Sequence, residues 1–280
     1  MEKKQKKQNV LTAVLAIYFI CYGFRVFEYF ILRTDKTWVG EAVVHKLTGI
    51  VILFAAVGFL RETLADIGLA RKGRLRNIGK GLFFGIGVFI IAYAVEIMMA
   101  IAGGTFVSLQ VYVSTYAVDQ NLGHRTEWLF FIICIVGNMV NVFMEEGIFR
   151  GLFQKILEKK YSFMCSALIA SILFGLWHIV GPIRNYFDGV SGVEGMIANA
   201  IMLTVTSALV GFKFALLTKM TGSLYMAMGD HFVNNTIVNI LHVVSETGID
   251  EMMFVRITIA QSVSFLLVLI CYIRREHKRR

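Results

Sequence analysis

Two glutamates stand side by side in an otherwise apolar stretch, Asn138-Met-Val-Asn141-Val-Phe-Met-Glu145-Glu146-Gly-Ile-Phe-Arg150. An ionisable side chain at the centre of a bilayer costs at least about 2.5–3.5 kcal/mol on insertion scales, so each one asks for a reason. On a helix Asn138, Asn141 and Glu145 share a face, whereas Glu146 and Arg150 form an i,i+4 pair in the favourable acid-first order. The two carboxylates therefore point in different directions. Arg150 can hold Glu146 ionised; Glu145 has no local cation, so it either carries a proton or takes a partner from another helix. Two later apolar stretches hold Phe174-Gly-Leu-Trp177-His178 and Gly229-Asp230-His231-Phe-Val-Asn234-Asn235, with His231 and Asn235 on one face. Helices that bring these stretches together would place Glu145, Glu146, His178, His231 and Asn235 around one inner pocket.

Hydrolysis of an amide needs an activated water, a proton donor for the leaving amine and donors for the oxyanion. A glutamate beside a neutral histidine suits the first two tasks, and His231 with the amide of Asn235 suits the third. Other intramembrane hydrolase designs fit poorly. There is no HExxH zinc motif, no GxSxG elbow and no Ser-His set. Gly229-Asp230 faintly suggests an aspartyl protease, but Asp66 and Asp188 fall in loops and supply no second intramembrane aspartate.

Each residue also has an ordinary explanation. A lone membrane histidine such as His178 is as often a packing residue as a functional one, and Glu146–Arg150 reads first as a structural ion pair. Asn141, Asn234 and Asn239 read as hydrogen bonders between helices. Arg25 and Glu28 read as a self-satisfied i,i+3 pair, Glu96 as the partner of an unidentified group, and His242 as a helix-end residue. The combination is much harder to obtain by accident than any one member.

The elements that must hold these groups are membrane helices. The chain is 57% hydrophobic and 17% charged, with a mean hydropathy of +0.67 and a single proline; soluble domains carry about 25% charged residues. Apolar blocks of spanning length predict an all-α, polytopic membrane protein of about eight helices forming one domain over 1–280. The expected spans are Val10–Leu32, Val43–Leu60, Ile78–Ala102, Glu127–Phe153, Ser162–Gly181, Met196–Leu217, Leu224–Val244 and Met253–Ile273. One geometric tension accompanies them: His178 lies about 24 Å along its helix from Ser162, while Glu145 sits nearer the cytoplasmic end of its own. A shared pocket then needs tilted helices or a fifth helix that begins below the membrane.

The net charge of +9 does not point to nucleic acid, because the basic residues sit at the edges of the apolar blocks. Lys3, Lys4, Lys6 and Lys7 fall on one side with Arg61, Arg71, Lys72, Arg74, Arg76 and Lys80. Lys155, Lys159, Lys160, Lys219 and the tail Arg274, Arg275, Lys278, Arg279 and Arg280 join them. The opposite loops offer little beyond Arg33, Lys36, Lys46, Arg125 and Arg184. The positive-inside rule then places both termini in the cytoplasm, as an even number of crossings requires, and leaves lipid headgroups as secondary partners. The first apolar run is too long for a signal-peptide core of roughly 7–15 residues and lacks a small-x-small cleavage site, so it reads as an uncleaved helix. Cys21, Cys134, Cys165 and Cys271 are scattered singly and read as small buried hydrophobes.

Glu145-Glu146-x-x-x-Arg150, Phe174-x-x-x-His178 and His231-x-x-x-Asn235, in this order on separate helices, resemble the three motifs of the CPBP family. That family includes the type II CAAX prenyl endopeptidases and bacteriocin-processing and immunity proteins. The resemblance covers Asn138 to Asn239, and Ile67-Gly68-Leu69 before a basic stretch is also similar. It implies an eight-helix protease with a CAAX-protease-like core and a cavity open to the cytoplasm. Glu145 and His178 would activate the water, His231 and Asn235 would form the oxyanion hole, and Glu146 would orient the site with Arg150 and Phe174 as structural partners. No cofactor is required; a zinc held by Glu145, His178 and His231 is compatible with the family's frequent label, although asparagine is a poor zinc ligand.

The expected substrate is a hydrophobic or lipidated peptide in a bacterial cell membrane, the compact loops and basic termini suggesting that source. Two other functions compete. A non-catalytic adaptor or self-immunity protein would use the same pocket only to grip a peptide. A small transporter would couple protons through the acidic pair, but no inverted repeat or pair of matched broken helices supports it.

Overall fold

The apolar blocks form helices that run back and forth between two ends of the molecule. The computed structural model describes residues 2–114 and 123–278, with side chains from Val10 onward. The side chains of Lys3, Lys4, Lys6 and Lys7, like Arg279 and Arg280, lie outside what it describes. Helix α1 (Glu2–Phe27) continues as a π-helical turn (Glu28–Leu32), and α2 (Val44–Phe59) and α3 (Arg74–Ala102) follow. After strand β1 (Val107–Val111) comes α4 (Trp128–Glu146), a π-helical stretch (Gly147–Phe153) and α5 (Gln154–Glu158). Then follow α6 (Phe163–Trp177), α7 (Val180–Phe187), α8 (Val193–Thr221), α9 (Tyr225–Ile240), β2 (Leu241–Ser245) and α10 (Met253–His277).

Contacts between connections define the two ends. At one, Leu224 N donates to Gly68 O at 3.0 Å, Lys159 pairs with Glu62, and Arg275 donates to Met220 O. At the other, Arg184 pairs with Asp35 at 2.6 Å, Arg33 with Asp188, and Arg125 donates to Trp38 O at 3.2 Å. The basic loops gather at the first end.

The expected all-α membrane fold is present. Among the described residues, six helical stretches are long and apolar enough to cross a membrane by length and composition: Val10–Lys36, Arg74–Ala102, Trp128–Glu158, Phe163–Phe187, Val193–Thr221 and Met253–His277. The other two expected spans are the 16-residue helices α2 and α9. Helix α9 holds Asp230, His231, Asn234, Asn235 and Asn239, and its close neighbour is α3. A Cβ on Gly81 would meet Met226 O at 2.2 Å and one on Gly229 would meet Ile78 O at 2.6 Å, so the two backbones touch. Small residues permit this approach between membrane helices.

Three boundaries differ from expectation for identifiable reasons. The block ending at Val244 leaves helical geometry at Leu241 and becomes β2, which pairs antiparallel with β1 from Val107↔Ser245 to Val111↔Leu241. The block Ser162–Gly181 breaks after Trp177. Pro182, the single proline, has no N–H to give the carbonyl of His178 and its ring crowds that carbonyl, so the chain turns there before α7. The block Glu127–Phe153 does not stop at Phe153 but runs on to Glu158.

That last difference removes the depth tension. Glu145 lies about 20 Å from Glu158 and His178 about 24 Å from Ser162, at 1.5 Å per residue. The two side chains therefore sit at matched depth on antiparallel helices. Below them Tyr18, Leu53, Phe149, Phe153 and Trp177 form the largest apolar cluster.

Candidate active site

Glu145 and Glu146 end α4 just where the backbone widens into the π-helical stretch; such widened turns occur frequently at functional sites. Both carboxylates are buried, at 3% and 0% exposure. Glu145 obtains partners from other helices and from Asn141 one turn earlier on its own. Its Oε1 accepts from Trp177 Nε1 at 3.2 Å and lies 3.9 Å from Arg25 Nη1. Its Oε2 accepts from Asn141 Nδ2 at 3.2 Å and lies 3.6 Å from His231 Nε2.

Glu146 holds the other side of the same imidazole. His231 Nδ1 is 2.9 Å from Glu146 Oε1, and Arg150 Nη1 is 3.3 Å from that same oxygen. Arg150 is fixed in turn: its Nε donates to Gly211 O at 3.3 Å and its guanidinium lies 4.0 Å from the centre of the Phe174 ring. Phe214 stacks on His231 at 4.8 Å. A charged plane between aromatic faces is favourable in a dry interior.

His178 occupies the break between α6 and α7. Its Nδ1 is 2.8 Å from Phe174 O, so Nδ1 carries the proton and Nε2 keeps its lone pair. Asn235 accepts at Oδ1 from Asn234 Nδ2 at 3.0 Å. Glu145, His178, His231 and Asn235 all line one cavity of about 700 Å³, and Glu146, Arg150 and Phe174 support it from behind. The structure thus brings together the residues expected to form the site.

Other wall residues escaped notice there. Arg25 and Glu28 are not a mutual pair: Arg25 donates to Tyr29 Oη at 3.3 Å and lies 4.6 Å from the Trp177 ring centre as well as beside Glu145. Glu28 accepts instead from Thr34 Oγ1, from the backbone amides of Val44 (2.7 Å) and His45 (2.5 Å), and sits 2.5 Å from His45 Nδ1. His45, 1% exposed, joins Arg25 in lining the cavity. The rule that flags every intramembrane charge would have found both, had the local i,i+3 spacing not seemed sufficient.

The cavity is not at the basic end. Asp35, Glu41 and Ala42 from the connection after α1 and Arg184 from α7, all from the end opposite the basic loops, line it with the middle of α8 and the first half of α10. As for zinc, the described residues contain no group of three or more His, Cys, Asp or Glu side chains placed to hold a metal ion.

Residues 127–237 match the model of a family described as type II CAAX prenyl endopeptidase Rce1-like. The matched stretch contains all three motifs and bears out the resemblance to the CPBP membrane proteases. The matched segment is thus similar to the CAAX-type intramembrane proteases, and the apolar helices support a multi-pass membrane protein. No curated protein matches the chain.

Proposed function

We propose that this protein is an intramembrane endopeptidase that cleaves a membrane-associated peptide, lipidated or hydrophobic, by water that Glu145 and His178 activate. The observation that carries this reading is Glu145 Oε2 lying 3.6 Å from His231 Nε2 in a cavity that His178 and Asn235 also line. Glu145, or the Nε2 lone pair of His178, takes a proton from water as its oxygen attacks the peptide carbonyl. The developing oxyanion is met by Asn235 Nδ2 and by the Nε2–H of a His231 that also donates from Nδ1 to Glu146. Collapse of the tetrahedral intermediate returns the proton to the leaving nitrogen, giving an acid and an amine. No step runs through a metal.

Orientation belongs to the same proposal. With the basic loops and both termini in the cytoplasm of a bacterial cell, the cavity occupies the outer half of the membrane.

The test is cleavage of a fluorogenic prenylated peptide, alongside an unmodified hydrophobic one, by the protein in proteoliposomes. Glu145→Gln and His178→Ala should each abolish turnover; undiminished turnover in either variant rejects the reading. A protein that only grips a peptide would retain its cellular phenotype with Glu145→Gln, whereas a protease loses it.

A further inference from the structure

Asparagine and glutamine side chains have nearly the same outline either way round, so the donor end must be fixed by neighbours. The direction of the Asn235 amide decides whether the cavity meets a donor or an acceptor. A line of polar groups running from buried Lys213 to Asn235, with Gln261 outside the matched segment, sets that direction.

The line begins at Lys213 on α8, 1% exposed. Its Nζ pairs with Asp230 Oδ2 at 2.8 Å and donates to Ser264 Oγ at 3.1 Å and Gln261 Oε1 at 3.0 Å. An ammonium has three donors and no acceptor, so it can meet the Gln261 amide only at its oxygen. Gln261 on α10 must therefore turn its oxygen to Lys213, which leaves Nε2 to donate to Asn234 Oδ1 at 2.5 Å. Asn234 must then present Nδ2, which donates to Asn235 Oδ1 at 3.0 Å. With its oxygen occupied, Asn235 keeps Nδ2 as the group free to face the cavity it lines.

We infer that Lys213, Gln261 and Asn234 form a one-way amide relay that positions Asn235 as a hydrogen-bond donor to whatever oxygen occupies the cavity. Polarity enters as a fixed charge and passes through two amides without any atom moving. Gln261 also lines the cavity, but both ends of its amide are taken by Lys213 and Asn234, so it and Asn234 are positioning residues. The inference rests on the oxyanion role proposed for Asn235.

Gln261→Glu is the decisive substitution because it keeps the shape and reverses the message. A carboxylate accepts at both oxygens, so it takes Lys213 on one side and forces Asn234 Nδ2 toward it on the other. Asn234 Oδ1 then faces Asn235, which must spend its own Nδ2 there and show the cavity an acceptor. Asn234→Asp reverses the same link from its far side and serves if the first variant folds poorly.

Two readouts are taken on protein in nanodiscs. Turnover of the prenylated peptide should fall about 10²–10³-fold in kcat, the loss typical of one oxyanion donor, with KM little changed and thermal stability retained through the new ion pair with Lys213. Solvent exchange of the Asn235 side-chain amide protons, followed by NMR on 15N-asparagine protein and assigned with Asn235→Asp, should slow about tenfold as those protons become bonded. Unchanged exchange in Gln261→Glu and Asn234→Asp overturns the relay. A parent protein that cleaves nothing would defeat the protease reading, while the exchange experiment would still decide the relay.

Discussion

One oxygen of Glu146, Oε1, is shared by His231 Nδ1 at 2.9 Å and Arg150 Nη1 at 3.3 Å. The imidazole is thereby tied to an ion pair with no exposed member, and its remaining nitrogen is aimed at Glu145. The first glutamate of the pair faces the cavity and the second works from behind it. Adjacent residues on a helix cannot share a direction, and the two tasks require different directions.

Glu146→Gln should therefore damage catalysis without emptying the cavity. The amide has nearly the same volume, but it loses the negative charge that faces Arg150 and that accepts from His231 Nδ1. A fall in kcat of about 10²–10⁴-fold is expected, by analogy with loss of the orienting carboxylate in a catalytic triad. Measurement of kcat and KM separately on the prenylated peptide checks it: a rise confined to KM would show that Glu146 serves binding alone.

Gly211→Ala should act on the same pair from the side. An added Cβ would come 2.6 Å from Arg150 Nη2 and 3.1 Å from the Phe174 ring, where the guanidinium has no free volume to retreat into. Overpacking of this kind costs about 1–3 kcal/mol, and the displaced arginine should lower turnover as well. Gly79→Ala is the control, since nothing lies within 4 Å of its added Cβ and alanine favours the helix. Thermal unfolding of both variants gives the comparison; equal midpoints would contradict the packing argument.

A pH effect on stability should come from the connection beside the β-ribbon. Burial alone would raise the Asp250 carboxyl, but His242 and Arg256, at 3.2 and 2.5 Å, together hold it below the ordinary carboxylate range. A folded-state pKa below the unfolded value means stability that is fully present above the unfolded value of about 3.9 and lost as pH falls through the folded one. The unfolding midpoint of the parent should drop more steeply than that of Asp250→Asn below about pH 4. Parallel curves for the two proteins would assign the acid sensitivity elsewhere.

The membrane class, the three motifs and the meeting of Glu145 with His231 were legible because they depend on what a residue is and where it falls along one helix. Partnerships across the bundle were not. Arg25 lies within reach of Glu28 along α1, yet its charge goes to Glu145 and Trp177, and Glu28 turns to His45. Glu96, whose partner could not be named from the sequence, is held through both oxygens by Arg256 Nη1 at 2.9 and 2.7 Å. Spacing ranks neighbours on one cylinder and is silent about the face another cylinder presents. The strand at Leu241–Ser245 was hidden for a related reason: Leu-His-Val-Val-Ser continues an apolar helix without any break in composition. Its pairing with Val107–Val111 comes from distant chain. His242, taken for a helix-end residue, belongs to that strand and is buried against Asp250.

The side on which the cavity lies has a practical meaning. Its wall is built from Asp35, Glu41, Arg184, the middle of α8 and the first half of α10, away from the cluster of lysines and arginines. If that cluster faces the cytoplasm, as proposed, a polar, membrane-impermeant inhibitor added to intact cells would reach its target without a transporter.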